Sequence, residues 1–287
     1  MSVIIGCGDV GRRIARQLRQ TNGSEFSNSA FVHSQTSVEA CAALGISAQC
    51  FDLDALKIDL KQCDKAEIYY TVAPQKNGLQ DRRSKALLDN FSELNIVPSK
   101  AVVISTTGVY GDCQGEWVDE NSTTQPQTER GQRRLDLEMQ WLAWGNATGV
   151  PVVILRVPGI YANSRLPIER IKKRTPVVRA QECGFTNRIH ADDLAQVSIA
   201  AMCDAQAGEI FNVTDGTPGK ISEYLQAAAQ VLGEQPLPEI SLAEAQTQLS
   251  SGMLSYLSES RKISNRKMLS ELKVELRYTD FRDGIKF

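Results

Sequence analysis

Gly6-Cys7-Gly8-Asp9-Val10-Gly11 sets three glycines in the spacing G-x-G-x-x-G, directly after the apolar run Val3-Ile4-Ile5. Directly after it, Val10, Ile14 and Leu18 recur at steps of four, with Arg12, Arg16 and Arg19 turned elsewhere. A strand, a tight turn and an amphipathic helix in that order bare backbone N–H groups at a helix N-terminus, which is a site for an anion. Each glycine then has a mechanical task. Gly6 permits the turn, Gly8 lets backbone approach a pyrophosphate, and Gly11 lets the helix lie close on the strand. Arg12 and Arg13 occupy the first helical turn, where the dipole disfavours a cation by roughly 0.3–1 kcal/mol each. A bound phosphate reverses that sign, so Gly6, Gly8, Asp9, Val10, Gly11 and Arg12 are the expected pyrophosphate site of a dinucleotide.

The tip of the second strand decides which dinucleotide. A carboxylate there, roughly 20 residues beyond the turn, holds the ribose 2′-hydroxyl of NAD. This strand ends Phe31-Val32-His33-Ser34-Gln35, with no acid. Nothing then repels a 2′-phosphate, and His33, Ser34 and Arg12 supply donors. NADP is therefore expected ahead of NAD, and S-adenosylmethionine, whose ribose also wants a carboxylate, is disfavoured.

Other residues invite chemistry less strongly. His190 with Asp192 and Asp193 reads as a base with its orienting acid, as metal ligands, or as the capped start of a helix; capping and dipole pairing account for them, and no metal is expected. Six basic residues between Arg165 and Arg179 face one acid, Glu169, and read either as a phosphate clamp or as a solvated face. Trp141 and Trp144, three apart on an expected helix, read as core. Nothing marks Cys7 as a nucleophile.

The elements that must position these groups alternate. Short β-branched runs at 2–6, 30–33, 47–51, 66–72, 101–106, 152–156 and 210–213 are separated by segments of helical period, the sequence form of βαβ units around a parallel sheet. Helices are expected near 38–44, 79–94, 130–144, 192–202, 222–232 and 265–272. After Val157, prolines 158, 167, 176, 218, 236 and 238 punctuate shorter elements. The expected fold is a doubly wound α/β dinucleotide-binding domain, residues 1–160 plus about 185–215, with a smaller α/β lobe from 161–184 and 216–287. A length of 287 residues suits one large domain or two unequal ones. The net charge of −2 argues against general binding to nucleic acid or anionic membrane. Seven scattered cysteines without a C-x-x-C pair suit a reduced cytoplasm, and the N-terminus lacks a signal-peptide pattern.

Several further segments together resemble the extended short-chain dehydrogenase/reductase family, in its NAD-dependent epimerase/dehydratase branch. They are Gly6 to Gly11, Phe51-Asp52-Leu53, the run from Val103 to Gly111, the run from Ile154 to Tyr161, the run from Arg188 to Leu194, and Phe211-Asn212-Val213. The resemblance implies that Asp52 and Leu53 flank adenine and that Thr106 orients the substrate oxygen. It also implies a tyrosine and a lysine, spaced Tyr-x-x-x-Lys, to move the proton and hold the nicotinamide ribose. That pair is missing. No tyrosine lies between Tyr110 and Tyr161, and no lysine between Lys100 and Lys172. At the corresponding helix the sequence places Arg130 and Arg134. An arginine is no general acid or base near neutrality, although Arg134 can still touch cofactor ribose. Tyr110, four residues after Thr106, is the nearest remaining proton shuttle, or else a ring packed beside the turn.

The chain thus looks like an atypical, YeeZ-like member of the family. The implied function is an NAD(P)-dependent epimerase, dehydratase or reductase acting on a hydroxyl or carbonyl of a sugar-like or nucleotide-sugar small molecule, as a monomer or homodimer. The alternative is a catalytically silent redox sensor.

Overall fold

The structure is a computed structural model and describes residues 1–23, 28–54 and 59–286. The apolar runs become seven strands of one sheet: Ser2–Ile5, Asn28–Val32, Ser47–Cys50, Glu67–Tyr70, Lys100–Thr106, Val152–Val157 and Ile210–Asn212. All pair in parallel. From Ser2–Ile5 the sheet grows to one side through Asn28–Val32 to Ser47–Cys50, and to the other through Glu67–Tyr70, Lys100–Thr106 and Val152–Val157 to Ile210–Asn212. The winding direction reverses beside the first strand. In such sheets a crevice opens there, at the carboxyl ends of the strands.

Alternation along the strands divides two cores. Ile4, Val102, Ile104, Val153 and Leu155 face the helices Asp9–Asn22 and Ala191–Asp204, which contribute Ile14, Leu18, Leu194 and Val197. Val3, Ile5, Ile68, Tyr70, Val103 and Ile154 face the helices Arg82–Glu93 and Glu129–Thr148, which contribute Leu87, Phe91, Leu137 and Trp141. Coverage on both faces is why these strands read as unbroken apolar runs rather than alternating ones. Trp141 packs on Tyr70, and Trp144 on Phe91. Trp117, by contrast, is 55% exposed.

The C-terminal half carries elements too short to show a period in the sequence. Gly159–Tyr161 pairs with Arg188–His190, Val177–Val178 with Glu239–Ile240, and Trp117–Val118 with Lys262–Ile263. A further core gathers Tyr161, Leu166, Ile171, Val177, Tyr224, Leu225 and Phe281. The last strand pair matters most for the site, because it ties residues around 260 to the loop that follows Thr106. Ser260 accepts the amides of Cys113 at 3.0 Å and Gly115 at 2.9 Å, and its own amide donates to Asp112 Oδ1 at 2.8 Å. Among the described residues, no helix is long and apolar enough to cross a membrane.

Candidate functional site

The glycine turn joins the first strand to the helix Asp9–Asn22. The first helical hydrogen bond runs from Arg12 N to the Gly8 carbonyl at 3.0 Å, which leaves the amides of Asp9, Val10 and Gly11 without a helical acceptor. Gly8, at the N-cap, brings no side chain to satisfy them. Elsewhere the helices beginning at Gln35, Arg82, Glu129 and Ala191 are capped by Ser34, Asp81, Thr128 and His190. Two of the glycines are required by packing. Gly6 has φ +92°, and a Cβ there would stand 2.8 Å from Val72 Cγ2; a Cβ on Gly11 would stand 2.9 Å from Ile4 Cγ2. Gly8 differs. Its Cβ would meet only the Gly6 carbonyl oxygen at 3.8 Å, so no protein atom demands a glycine there. The space over Gly8 and the bare amides beside it fit a pyrophosphate.

The two first-turn arginines part company. Arg13 Nη1 meets Asp192 at 2.5 Å, its Nε meets Asp9 at 3.3 Å, and Nη2 donates to Ser164 at 2.9 Å. Its charge is therefore answered within the protein, a correction to the idea that both arginines await a phosphate. For Arg12 no such pairing is found among the described residues. Asp9 also meets Arg165 at 3.2 Å, so this acid ties the turn to the segment that follows Tyr161.

At the tip of the second strand, Ser34 caps the next helix through Ser37 N, and its hydroxyl stands 3.0 Å from Thr36 Oγ1 and 2.9 Å from Ser37 Oγ. His33 is exposed, with Nδ1 4.0 Å from Asp52 Oδ1. The fold thus brings an acid near the strand tip from the end of the neighbouring strand, a pairing that the local sequence Phe31 to Gln35 does not reveal. Asp52 also accepts the Asp54 amide at 2.9 Å, and Leu53 is buried.

The residues expected to act on substrate separate in space. Thr106 ends its strand, accepts the Gly108 amide at 3.2 Å, and borders a cavity of about 190 Å³. Tyr110 lies in the interior. Its hydroxyl donates to Asn212 Oδ1 at 2.8 Å and accepts from Arg156 Nη1 at 3.0 Å. Arg156 is paired with Glu138 at 2.8 Å, and Glu138 in turn accepts from Ser105 Oγ at 2.5 Å. Burial raises the Tyr110 pKa, against the lowering influence of Arg156. This buried network joins the strands carrying Ser105, Arg156 and Asn212 to the helix carrying Glu138, and so fixes the strand end at Thr106. Arg134 is absent from the cavity lining and donates Nη1 to the Ile104 carbonyl at 3.0 Å.

The same cavity is also lined by Arg130, Phe185, Tyr256, Glu259 and Arg261. Glu259 is buried; its Oε2 accepts from Arg261 Nη1 at 2.8 Å, while Oε1 has no partner among the described residues. Arg261 Nη1 also donates to the Gly111 carbonyl. Sequence reasoning missed Tyr256, Glu259 and Arg261. They reach the site through the pairing of Lys262–Ile263 with Trp117–Val118, about 145 residues away in the chain, for which no local signal exists.

Several of the remaining candidates have partners within the fold, while Lys172 and Lys173 are exposed. His190 Nδ1 accepts the Asp192 amide at 3.2 Å, and burial brings its pKa down to about 4. Asp193 accepts the amides of Arg277 and Tyr278 at 3.0 and 2.9 Å. Arg188 lies buried against the rings of Tyr224 and Phe281. In the basic stretch, Arg170 donates to Pro176 O, Arg174 to the carbonyls of Gln235 and Pro236, and Arg179 pairs with Glu182. Cys7 is fully buried, and burial pushes its thiol pKa upward, away from nucleophilic use.

No family model and no curated protein matches the chain. Solved structures do. A conserved protein of unknown function from Silicibacter pomeroyi is 27% identical, with a TM-score of 0.85 over 99% of this chain and 95% of that one. UDP-glucose 4-epimerase from Thermotoga maritima, solved with UDP-glucose, is 14% identical, with a TM-score of 0.79 over 100% and 96% of the two chains. UDP-glucuronic acid 4-epimerase from Bacillus cereus, solved with NAD, is 16% identical, with a TM-score of 0.76 over 100% and 96%. At such low identity the two epimerases establish the fold alone: this chain shares their α/β architecture along its length.

Proposed function

We propose that the chain is an NAD(P)-dependent oxidoreductase of the epimerase/dehydratase type that acts on a hydroxyl or carbonyl of a small molecule, with NADP preferred to NAD. The observation that carries this is the uncapped helix start at Gly8, with its vacant Cβ position and bare amides, which follows the carboxyl end of Ser2–Ile5 as the Thr106 cavity follows that of the parallel strand Lys100–Thr106. Gly6, Gly8, Asp9, Val10, Gly11 and Arg12 would hold the pyrophosphate, His33, Ser34 and the neighbouring hydroxyls the 2′-phosphate, and Asp52 and Leu53 the adenine side. The absence of an acid on the second strand itself supports NADP; Asp52, 4.0 Å from His33, keeps NAD as the competitor. Once bound, the dinucleotide supplies a hydride acceptor or donor. The solved neighbour from Bacillus cereus carries NAD, in line with a nicotinamide dinucleotide here.

On the substrate side, Thr106 orients the reacting oxygen, and Tyr256, the tyrosine that borders the cavity, exchanges its proton. Tyr110 is assigned to positioning, because both of its hydroxyl partners lie in the buried network. Arg134 is assigned to holding the Ile104 carbonyl of the strand that presents Thr106. Residues 1–160 with 185–215 serve as the dinucleotide domain, and 161–184 with 216–287 as the substrate lobe, which contributes Tyr256, Glu259 and Arg261. The second reading, a silent nicotinamide-nucleotide sensor, draws on the arginines at positions 130 and 134. Titration with NADPH and NADH, followed by nicotinamide fluorescence, tests the proposal. Saturable binding with NADPH the tighter ligand is expected; no binding of either at millimolar concentration overturns it. Substrate-dependent change at the nicotinamide absorbance band then separates enzyme from sensor.

A further inference from the structure

Two segments that leave the sheet far apart are fastened to one side chain. Glu67–Tyr70 and Ser47–Cys50 are separated in the sheet by Ser2–Ile5 and Asn28–Val32, so they lie three strand spacings, about 14 Å, from each other. The chain that follows each of them nevertheless reaches Arg83, in the first turn of the helix Arg82–Glu93. Arg83 Nη1 donates to the Ala73 carbonyl at 3.0 Å, three residues past Tyr70. Its Nε and Nη2 donate to the Asp54 carboxylate at 3.2 and 2.7 Å, four residues past Cys50. The planar fork of a guanidinium matches a carboxylate in this two-pronged way, and an ammonium does not. Among the described residues no other side chain hydrogen-bonds to both segments.

The two attachments differ in how they are braced. On the Ala73 side, buried Gln75 donates to the carbonyls of Gln80 and Asn77 at 2.5 and 3.2 Å and accepts the Arg82 amide at 3.2 Å, while Arg133 donates to the Gly78 carbonyl. Asp81 caps the helix by accepting the Arg83 amide at 3.1 Å, which fixes the point from which the arginine reaches out. On the other side Asp52 and Asp54 are exposed, with buried Leu53 between them. The Asp54 amide donates to Asp52 Oδ1 at 2.9 Å, so the carboxylate gripped by Arg83 and the carboxylate facing His33 belong to one turn. Arg83, with smaller contributions from Arg82 and His33, holds the Asp54 carboxyl below its usual range, so the pair stays charged.

We infer that Arg83 is a positioning residue for the adenosine half of the dinucleotide: by tying the turn Asp52–Asp54 to the braced loop at Ala73, it fixes the wall on which the adenine side rests. The inference rests on the proposed dinucleotide reading, which sets the pyrophosphate at Gly8, past the first strand, and the adenine side at Asp52 and Leu53, past the third. The two anchors of Arg83, past the fourth and third strands, bracket that span. Arg83 acts through Asp54 and not by touching the ligand. A half-exposed ion pair adds little to folding, so its loss loosens the wall without unfolding the chain. A loosened turn must be ordered when the ligand binds, which lowers affinity roughly two- to tenfold for each side chain immobilised.

Titration of the full chain with NADPH, followed by fluorescence, and with adenosine 2′,5′-bisphosphate, followed by calorimetry, tests this. The second ligand carries the adenosine half and no nicotinamide. Arg83→Gln should lower the affinity for both by the same factor, about tenfold, with the urea unfolding midpoint close to that of the parent chain. Arg83→Lys should recover part of the loss. Asp54→Asn should lose about as much as Arg83→Gln, and the double variant no more than either alone, because both substitutions break one link. Lys85→Gln, which breaks an exposed pair with Asp89 on the same helix, is the control and should leave both affinities unmoved. NADPH affinity within twofold of the parent in Arg83→Gln, a loss that the bisphosphate does not share, or losses that multiply in the double variant overturn the inference. So does failure of the bisphosphate to bind a parent chain that binds NADPH. A parent chain that binds neither ligand removes the dinucleotide reading itself, whereas one that binds both, unmoved by Arg83→Gln, removes only the role of Arg83.

Discussion

A methyl group added at Gly8 (Gly8→Ala) touches the Gly6 carbonyl oxygen at 3.8 Å and nothing nearer. The Gly8 φ of −77° is open to any L residue, and alanine is a poorer N-cap than glycine by an amount on the order of 1 kcal/mol. Stability should therefore stay within about 1 kcal/mol of the parent chain. Binding is another matter. A phosphate oxygen bonded to the amides of this turn lies about 3 Å from the backbone, which leaves no room for a Cβ. Losing one charge-assisted hydrogen bond of about 1.5–3 kcal/mol lowers affinity roughly ten- to 150-fold. Gly11→Ala is the control, since its Cβ would stand 2.9 Å from Ile4 Cγ2, and overpacking of that kind costs about 1–3 kcal/mol of folding stability. Urea unfolding reads stability, and NADPH fluorescence titration reads affinity. Unchanged NADPH affinity in Gly8→Ala, or a loss of stability as large as that of Gly11→Ala, refutes the reasoning.

Tyr110→Phe removes the oxygen that Arg156 and Asn212 share; it should cost about 1–3 kcal/mol in urea unfolding while leaving NADPH affinity within about twofold. Glu138→Ala leaves the Arg156 charge buried and unanswered, and should cost about 3–5 kcal/mol by the same measurement. Burial raises the Asp215 carboxyl from 3.8 to about 8, so the native state keeps a proton that the unfolded chain has released, and stability falls as pH rises towards 8. His190, lowered by burial from 6.5 to about 4, works in the opposite sense: its contribution is present above pH 6.5 and is lost as pH falls towards 4. Between pH 6.5 and 8 Asp215 thus acts without opposition from His190. The parent chain should lose about 2 kcal/mol over that interval that Asp215→Asn keeps, measured by unfolding at each pH.

The sheet and its helices were legible because coverage on both faces makes each strand an apolar run, and the 3.6-residue period survives in helices as long as Asp9–Asn22 and Glu129–Thr148. The glycine turn was legible for a related reason: all its parts are adjacent in the chain. The substrate cavity was not. Thr106 and Arg130 approach Tyr256, Glu259 and Arg261 only through two-residue strands, which carry no period, and the orphaned oxygen of Glu259 is a property of the folded surroundings. Arg13 shows the same limit from the other side. Its position in the helix suggested a phosphate partner, but Asp192, 179 residues away, takes it. Tyr110 sits where sequence put it, beside Thr106, yet its ring turns inward because Arg156 and Asn212 arrive on expected strands whose meeting at Tyr110 the local sequence does not foretell.

A crystal structure of the chain soaked with NADP at millimolar concentration tests the central claim most directly. Pyrophosphate oxygens about 3 Å from the amides of Val10 and Gly11, with no protein atom between them and Gly8, are the predicted result. Clear protein density with no dinucleotide over Gly8 contradicts it.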